Sequence, residues 1–287
     1  AIAFEFNGFF IGHRGHYNMF GVVVWVPAVL WLLDGAWQAT TLRRIILWTV
    51  LAGLALSQLM MAGHPQLAMY SMLFIIAYFI FRWSAAWPTW RDWWQSPWSS
   101  RLQHPLVSRP LSFGVAGMLA GGIAAVALLP TAELLGRSMR SEPTYAFSAA
   151  YSLLPRNFIT LLVPEFLEWS TTEFRIYAGI LTLILALVAW VVSQHNRPER
   201  RFYTIVLLVA TVVALGGFTA LQGIIYRYIP GFAMVRVSAR AFFFANFALA
   251  VLAAFGAETL FRSLNPTESP RLKKLTRYSR WALVIAG

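Results

Sequence analysis

Long apolar runs, separated by short connectors that hold most of the charge, govern what this chain can fold into. Runs of helix-compatible length fall at 18–33, 45–62, 67–82, 111–130, 177–193, 202–222 and 240–261, with partial runs at 1–12 and 281–287. A helix needs about 20 predominantly apolar residues to cross the hydrocarbon of a bilayer. Every backbone amide in that hydrocarbon must pair internally. Runs of this length without alternating polarity meet the condition as helices, not as barrel strands. The expected fold class is all-α: a polytopic transmembrane helix bundle of about seven full spans and two truncated ones, with interfacial helices in the connectors. Pro27 lies inside the first full run and should kink it.

Composition supports this reading. Charged residues are 12% of the chain and hydrophobic ones 59%, against about 25% and 45–50% in soluble domains. A water-soluble globule with so few charges could not cover its surface, and disordered chains are far less apolar. The absence of cysteine excludes disulfides, thiolate catalysis and cysteine-based metal sites. A net charge of +12 would suit nucleic acid, but the charges sit in connectors and no basic stripe lies on a folded polar face. Nucleic acid is therefore not an expected partner. No basic leader precedes the first run. The chain opens on Ala1 and stops at Gly287, within an apolar stretch that begins at Trp281, so a fragment lacking both termini is expected. It reads as a single transmembrane domain over 1–287.

Assigning the connectors alternately to two sides places 15 of the 23 Lys and Arg on one side and 8 on the other. The first side should be cytoplasmic. It includes a Trp-rich connector, 84–110, where Trp83, Trp87, Trp90 and Trp94 recur at helical intervals, as in a helix lying at the headgroup level. The other side carries the longest connector, 131–176. Within it, Leu153 to Val163 is too short to span and reads as an interfacial or re-entrant helix. Gly117 and Gly121 have the spacing of a close helix contact.

Chemistry-bearing residues gather mostly on the outer side. His13 and His16 could share a helix face, yet no third metal ligand is near, so no metal site is expected. Gly63-His64-Pro65-Gln66 makes a short turn in which Gly and Pro are explained by geometry but His64 and Gln66 are not. Glu133 and Arg137 are four apart and suit an intrahelical ion pair; Arg137 and Arg140, three apart, could instead address one anion. Arg236 and Arg240 open the span that runs to 261, where two guanidiniums at a helix N-terminus suit phosphate oxygens. Glu5, with Asn7, lies within the first partial run, and an intramembrane carboxylate is a functional candidate. Glu142, Glu165, Glu168 and Glu173 sit in the long outer connector, and spacing does not choose among them as base or metal ligand. Glu258 reads as an interface residue at a cytoplasmic helix end.

Several of these segments, in order, resemble the YfhO family of bacterial membrane proteins. They are Gly63-His64-Pro65-Gln66; Leu129-Pro130-Thr131-Ala132-Glu133-Leu134 with Ser138 and Arg140; Ser152-Leu153-Leu154-Pro155 leading to Leu162-Val163-Pro164; Tyr177-Ala178-Gly179; and Val235-Arg236-Val237-Ser238-Ala239-Arg240. The resemblance implies a relative of the GT-C glycosyltransferases, working at the outer face of the bacterial plasma (inner) membrane. Such enzymes move a sugar from a polyprenyl-phosphate donor to a cell-envelope acceptor, using an acidic residue of the first outer loop, which would precede Ala1. It leaves the cofactor open, a divalent cation included. On this basis Arg236 and Arg240, helped by Arg137 or Arg140, would hold the donor phosphate. His64 and Glu133 would serve catalysis by orienting the acceptor hydroxyl, and Gln66 and Glu5 would line the polar pocket. Membrane lipids are the remaining expected partner. The competing classes are a transporter or flippase for an envelope lipid, and a non-catalytic membrane scaffold.

Overall fold

The structure, a computed structural model, describes residues 2–97, 101, 104–137, 143–164, 166, 172–193, 196–229 and 231–264. Among them there is no strand. The α-helices are α1 (Ile2–Glu5), α2 (Gly8–Gly12), α3 (Tyr17–Val23), α4 (Trp25–Gln38), α5 (Leu42–Met61), α6 (Pro65–Ser84), α7 (Trp90–Gln95) and α8 (Pro105–Gly136). There follow α9 (Tyr145–Ser148), α10 (Ile180–Val191), α11 (Arg197–Leu215), α12 (Ala220–Tyr228) and α13 (Phe242–Leu264).

Six helical segments among the described residues are long and apolar enough to cross a membrane: Tyr17–Gln38, Leu42–Met61, Pro65–Ser84, Pro105–Gly136, Arg197–Phe218 and Ser238–Arg262. The run at 177–193, expected to be a full span, forms only the 12-residue α10. Gly179, at φ 90°, starts it late, and 12 residues rise only about 18 Å. The partial run at 1–12 is two short helices, while 281–287 lies outside the described residues. The kink expected at Pro27 appears as a break at Val24 between α3 and α4. A proline ring clashes with the carbonyl four residues earlier, here that of Val23, so the interruption falls just upstream of the ring.

α8 is longer than its apolar run. It continues through Pro130 to Gly136, so the connector expected from 131 starts at 137. Proline removes one helical hydrogen bond, and beside it the Thr131 hydroxyl donates to the Ala127 carbonyl at 2.7 Å. A helix of 32 residues rises about 48 Å, more than the roughly 30 Å of hydrocarbon, so one or both ends project beyond it.

The chain divides into two compact units. One comprises His13–Ser148 and Ile229–Arg236. In it α5 packs against α8 and α4, and α3 against α5 and α6. Gly53 permits the α5–α8 contact: a Cβ there would lie 2.8 Å from Leu119 Cδ2 and 3.1 Å from the Ala116 carbonyl oxygen. The small residues that face inward from α8 are Ala116, Ala120 and Ala124. Gly117 and Gly121, expected at a close contact, have nothing within 4 Å of where a Cβ would stand. Both series repeat every four residues, so spacing alone could not separate the packed face from the opposite one.

The other unit comprises Ala1–Gly12, Ala149–Tyr228 and Val237–Gly287. Its centre is α13, flanked by α10 and α11. In the 18-residue apolar window of the Ser238–Arg262 span 67% is buried, against 22% in that of Arg197–Phe218, so α13 is the more interior of the two. Phe4, Phe9 and Phe10 pack by their ring edges and faces on Phe243, and Phe4 also meets Phe247. At Gly256 α13 and α10 touch backbone to backbone.

Both units bury small and polar side chains and expose large apolar ones. Ser57, Ser71, Thr182 and Asn246 are buried, while Leu47, Met118, Leu187 and Leu208 are exposed. In water this arrangement would waste apolar surface; against lipid tails the outer residues are matched to their solvent, and close packing of small residues supplies the helix contacts.

Candidate functional site

In the α13-centred unit, the connector residues ahead of α10 and α13 form a polar, strained platform. Tyr151 and Val237 adopt positive φ, at 56° and 64°. Such backbone is disfavoured for residues with a Cβ, and for a β-branched residue it is a genuine outlier. The two are fastened to one another's neighbourhood: Val237 N donates to the Ala150 carbonyl at 3.0 Å and Ala239 N to that of Tyr151 at 3.4 Å. Ser152 Oγ lies 3.3 Å from Ser238 Oγ and accepts from Gly217 N at 2.9 Å. A Cβ on Gly216 would fall 2.2 Å from Ser238 Oγ and 2.3 Å from Ser152 Oγ, so only glycine fits there.

Arg240 projects from this platform, in the 3-10 turn Ser238–Ala241 that leads into α13. Its Nε donates to Glu173 Oε2 at 2.9 Å, and its Nη2 to Oε1 of the same carboxylate. The pair is only 17% and 14% exposed. Parallel bonds along one edge fix the plane of the guanidinium, which a single contact would not do. Glu173, in the turn Thr172–Phe174, is thus the acid that holds Arg240 among the described residues. Glu142, Glu165 and Glu168 lie outside the described residues. Sequence spacing had no means to select Glu173, whose partner is 67 residues away.

The remaining expected site residues fall as follows. Arg236 is exposed, and its guanidinium carbon lies 5.8 Å from the centre of the Phe147 ring, a cation–π distance. Arg236 and Arg240 do not share a helical turn: Val237, left-handed, separates them, and α13 starts only at Phe242. His64 caps α6, its Nδ1 accepting from Leu67 N at 3.2 Å. Gln66 is buried and donates to the Tyr70 hydroxyl at 3.2 Å. Glu133 pairs with Arg137 at 2.6 Å as the four-residue spacing suggests, and both are well exposed. Glu5 is exposed at the end of α1. Beside it Asn7 is buried and accepts from Phe9 N at 2.9 Å, which starts α2. Arg140 lies outside the described residues. His13 and His16 meet edge to face with centroids 5.6 Å apart. Among the described residues no group of three or more His, Asp or Glu is placed to hold a metal ion.

A second ionic cluster escaped the sequence reading. In the unit containing α4, α6 and α8, Asp34 Oδ2 accepts from the Tyr78 hydroxyl at 2.6 Å, and its Oδ1 lies 3.1 Å from Arg82 Nε. Arg109 Nη1 donates to the Arg82 carbonyl at 2.6 Å. Asp34 and Arg82 close the apolar runs of α4 and α6, so they look like ordinary connector charges in sequence. A carboxylate at the end of an apolar run with an arginine at the end of another was the available signal.

No curated protein and no solved structure matches the chain significantly. The sequence model of the family described as "Bacterial membrane protein YfhO" matches residues 1–260. A match over that much of a chain with six membrane-length apolar helices leaves no ambiguity of kind: the protein belongs to the YfhO family of bacterial membrane proteins.

Proposed function

We propose that this protein is a membrane glycosyltransferase of GT-C type, which moves a sugar from a polyprenyl-phosphate donor to a cell-envelope acceptor at the outer face of the bacterial inner membrane. The observation that carries the reading is Arg240, a guanidinium held in a fork by Glu173 on a platform with two strained residues. Structure that pays for strain and fixes a cation in one plane is suited to a ligand that needs an oriented charge. A donor phosphate is such a ligand, because its oxygens gain charge as the sugar departs.

In the reaction, the bond between the sugar's anomeric carbon and the phosphate oxygen breaks, and its electron pair leaves with the polyprenyl phosphate. The acceptor oxygen forms the new bond to that carbon, and its proton passes to a carboxylate base. Arg240 and Arg236 address the phosphate, with Arg137 and Arg140 as further cations. His64 or Glu133 orients the acceptor hydroxyl, and Gln66 and Glu5 supply polar lining. These roles follow from side-chain chemistry and the resemblance.

The test uses full-length protein in proteoliposomes with a radiolabelled polyprenyl-phosphate sugar and an envelope acceptor fraction. Wild type should transfer label to the acceptor. Arg240→Ala should lose at least about 100-fold of that rate, as removal of one preorganised donor does elsewhere, while inserting normally. Undiminished transfer by both Arg240→Ala and Arg236→Ala would overturn the site. Movement of intact labelled lipid between leaflets, without transfer, would overturn the enzyme reading in favour of transport.

A further inference from the structure

The helices α4 and α6 run in one direction and α5 and α8 in the other, within a single unit, so the C-termini of the first two meet the N-termini of the second two. This end of the unit holds Arg43, Arg44, Arg82, Arg91, Arg101 and Arg109 against Asp34 and Asp92. Most of these arginines belong to connectors. Arg82 and Arg109 do not: they lie on the spanning helices α6 and α8, beside Asp34 on α4.

The charges in that cluster do not balance. Both oxygens of Asp34 are engaged, one by Tyr78 and the other by Arg82. Asp34 thus answers Arg82, and among the described residues no ion pair joins it to Arg109. Arg109 is tethered by Nη1 to the Arg82 carbonyl, and its Nε is buried with no hydrogen-bond partner among the described residues. A partly buried cation with an unmet donor is costly unless an anion answers it. Asp34 and Arg82 are each about a quarter exposed, so the cluster is reachable from outside the bundle.

The surroundings indicate what reaches it. Trp83 Nε1 donates to the Leu106 carbonyl at 3.2 Å, on the turn that carries Arg109. Trp87, Trp90 and Trp94 are exposed just beyond. Exposed tryptophans following an apolar helix mark the headgroup level of a bilayer, where their rings are half in oil and half in water. An anion that occupies this level permanently, and whose tails match the apolar outer faces of α6 and α8, is a phospholipid.

We propose that Arg109, held by the Arg82 carbonyl, binds the headgroup phosphate of an anionic phospholipid in the leaflet at the arginine-rich end of this unit. The lipid supplies Arg109 with the counter-charge that Asp34, already paired with Arg82, does not. Basic recesses between membrane helices take anionic headgroups on this principle.

The test is lipid retention by the full chain, purified in a neutral detergent and measured by native mass spectrometry. Phosphatidylglycerol and phosphatidylcholine are titrated in parallel. Wild type should retain phosphatidylglycerol roughly tenfold more tightly than phosphatidylcholine, and Arg109→Gln should erase that difference, as expected for loss of one charge-assisted contact. Arg43→Gln, at the same end in the first turn of α5, should keep it. Equal retention of the two lipids by wild type would overturn the proposal. So would a preference that survives Arg109→Gln or vanishes with Arg43→Gln. Competition by millimolar inorganic phosphate equal to that by the lipid would also overturn it, in favour of a free anion. The wild-type comparisons need no variant, so they decide the matter even where Arg109→Gln fails to fold.

Discussion

Gly256→Ala measures how the α13-centred unit is held together. A Cβ at this position would stand 1.9 Å from the Leu185 carbonyl oxygen, 2.7 Å from its carbon and 3.2 Å from Ala189 N. Carbon and oxygen in close non-bonded contact sit about 3.3 Å apart, so the two helices would have to separate by roughly 1.4 Å at the crossing. All three obstructing atoms are backbone, so no side chain can swing aside. Buried neighbours such as Ala186, Ala189 and Ala253 are already small and leave nothing to give. Overpacking costs about 1–3 kcal/mol where side chains can adjust; here we expect the top of that range. For a chain of this size that corresponds to a fall in Tm of roughly 6–12 °C. The assay is thermal unfolding in detergent, followed by helical circular dichroism. Gly117→Ala is the matched control: it adds the same methyl group where nothing lies within 4 Å, and should leave Tm unchanged or slightly raised. A Gly256→Ala protein that melts within about 1 °C of wild type would refute the backbone contact.

Three further substitutions probe the polar clusters. Glu173→Gln should destabilise the α13-centred unit by about 3 kcal/mol, because it leaves the Arg240 guanidinium part-buried without its counter-charge, and thermal melting reads the loss. Tyr151→Gly should be neutral or raise stability by about 1 kcal/mol, since glycine adopts positive φ without the Cβ clash; a fall in Tm of several degrees would show that the Tyr151–Phe174 ring contact outweighs the strain. Asp34→Asn should lower Tm by several degrees, as it leaves Arg82 part-buried without its counter-charge, and an unchanged melt would refute the ion pair.

How much of this was legible in the sequence depended on whether a feature is local. Six of the apolar runs became membrane-length helices because hydrophobicity summed along about 20 residues is a property of the segment itself. The Glu133–Arg137 pair was legible for the same reason, since a four-residue step is one helical turn. The Trp series from 83 to 94 has helical spacing, and the chain carries it through the end of α6 at Ser84, a 3-10 turn at Trp87–Thr89 and helix again from Trp90, with the Trp83 and Trp87 rings 5.5 Å apart. Where backbone conformation intervened, the local rule failed. Arg236 and Arg240 are four apart as well, and the left-handed Val237 removes the turn that would have stacked them.

The ionic clusters illustrate the other limit. Glu173 and Arg240 are joined across 67 residues, and Asp34 meets Tyr78 across 44. Nothing in a charge's own neighbourhood reports a partner so far away. What the sequence does carry is cost. A charged residue on a membrane helix must be answered by something, so an unpaired one is a question about a distant partner or a ligand. Asp34, Arg82 and Arg109 pose that question at the ends of three apolar runs, and the described residues answer it for Arg82, through Asp34, but not for Arg109. At Arg240 the answer is complete on one edge of the guanidinium, where Glu173 accepts two bonds. The two sites thus differ in kind: in the first a guanidinium stands without a carboxylate of its own among the described residues, whereas in the second cation and carboxylate are matched and oriented.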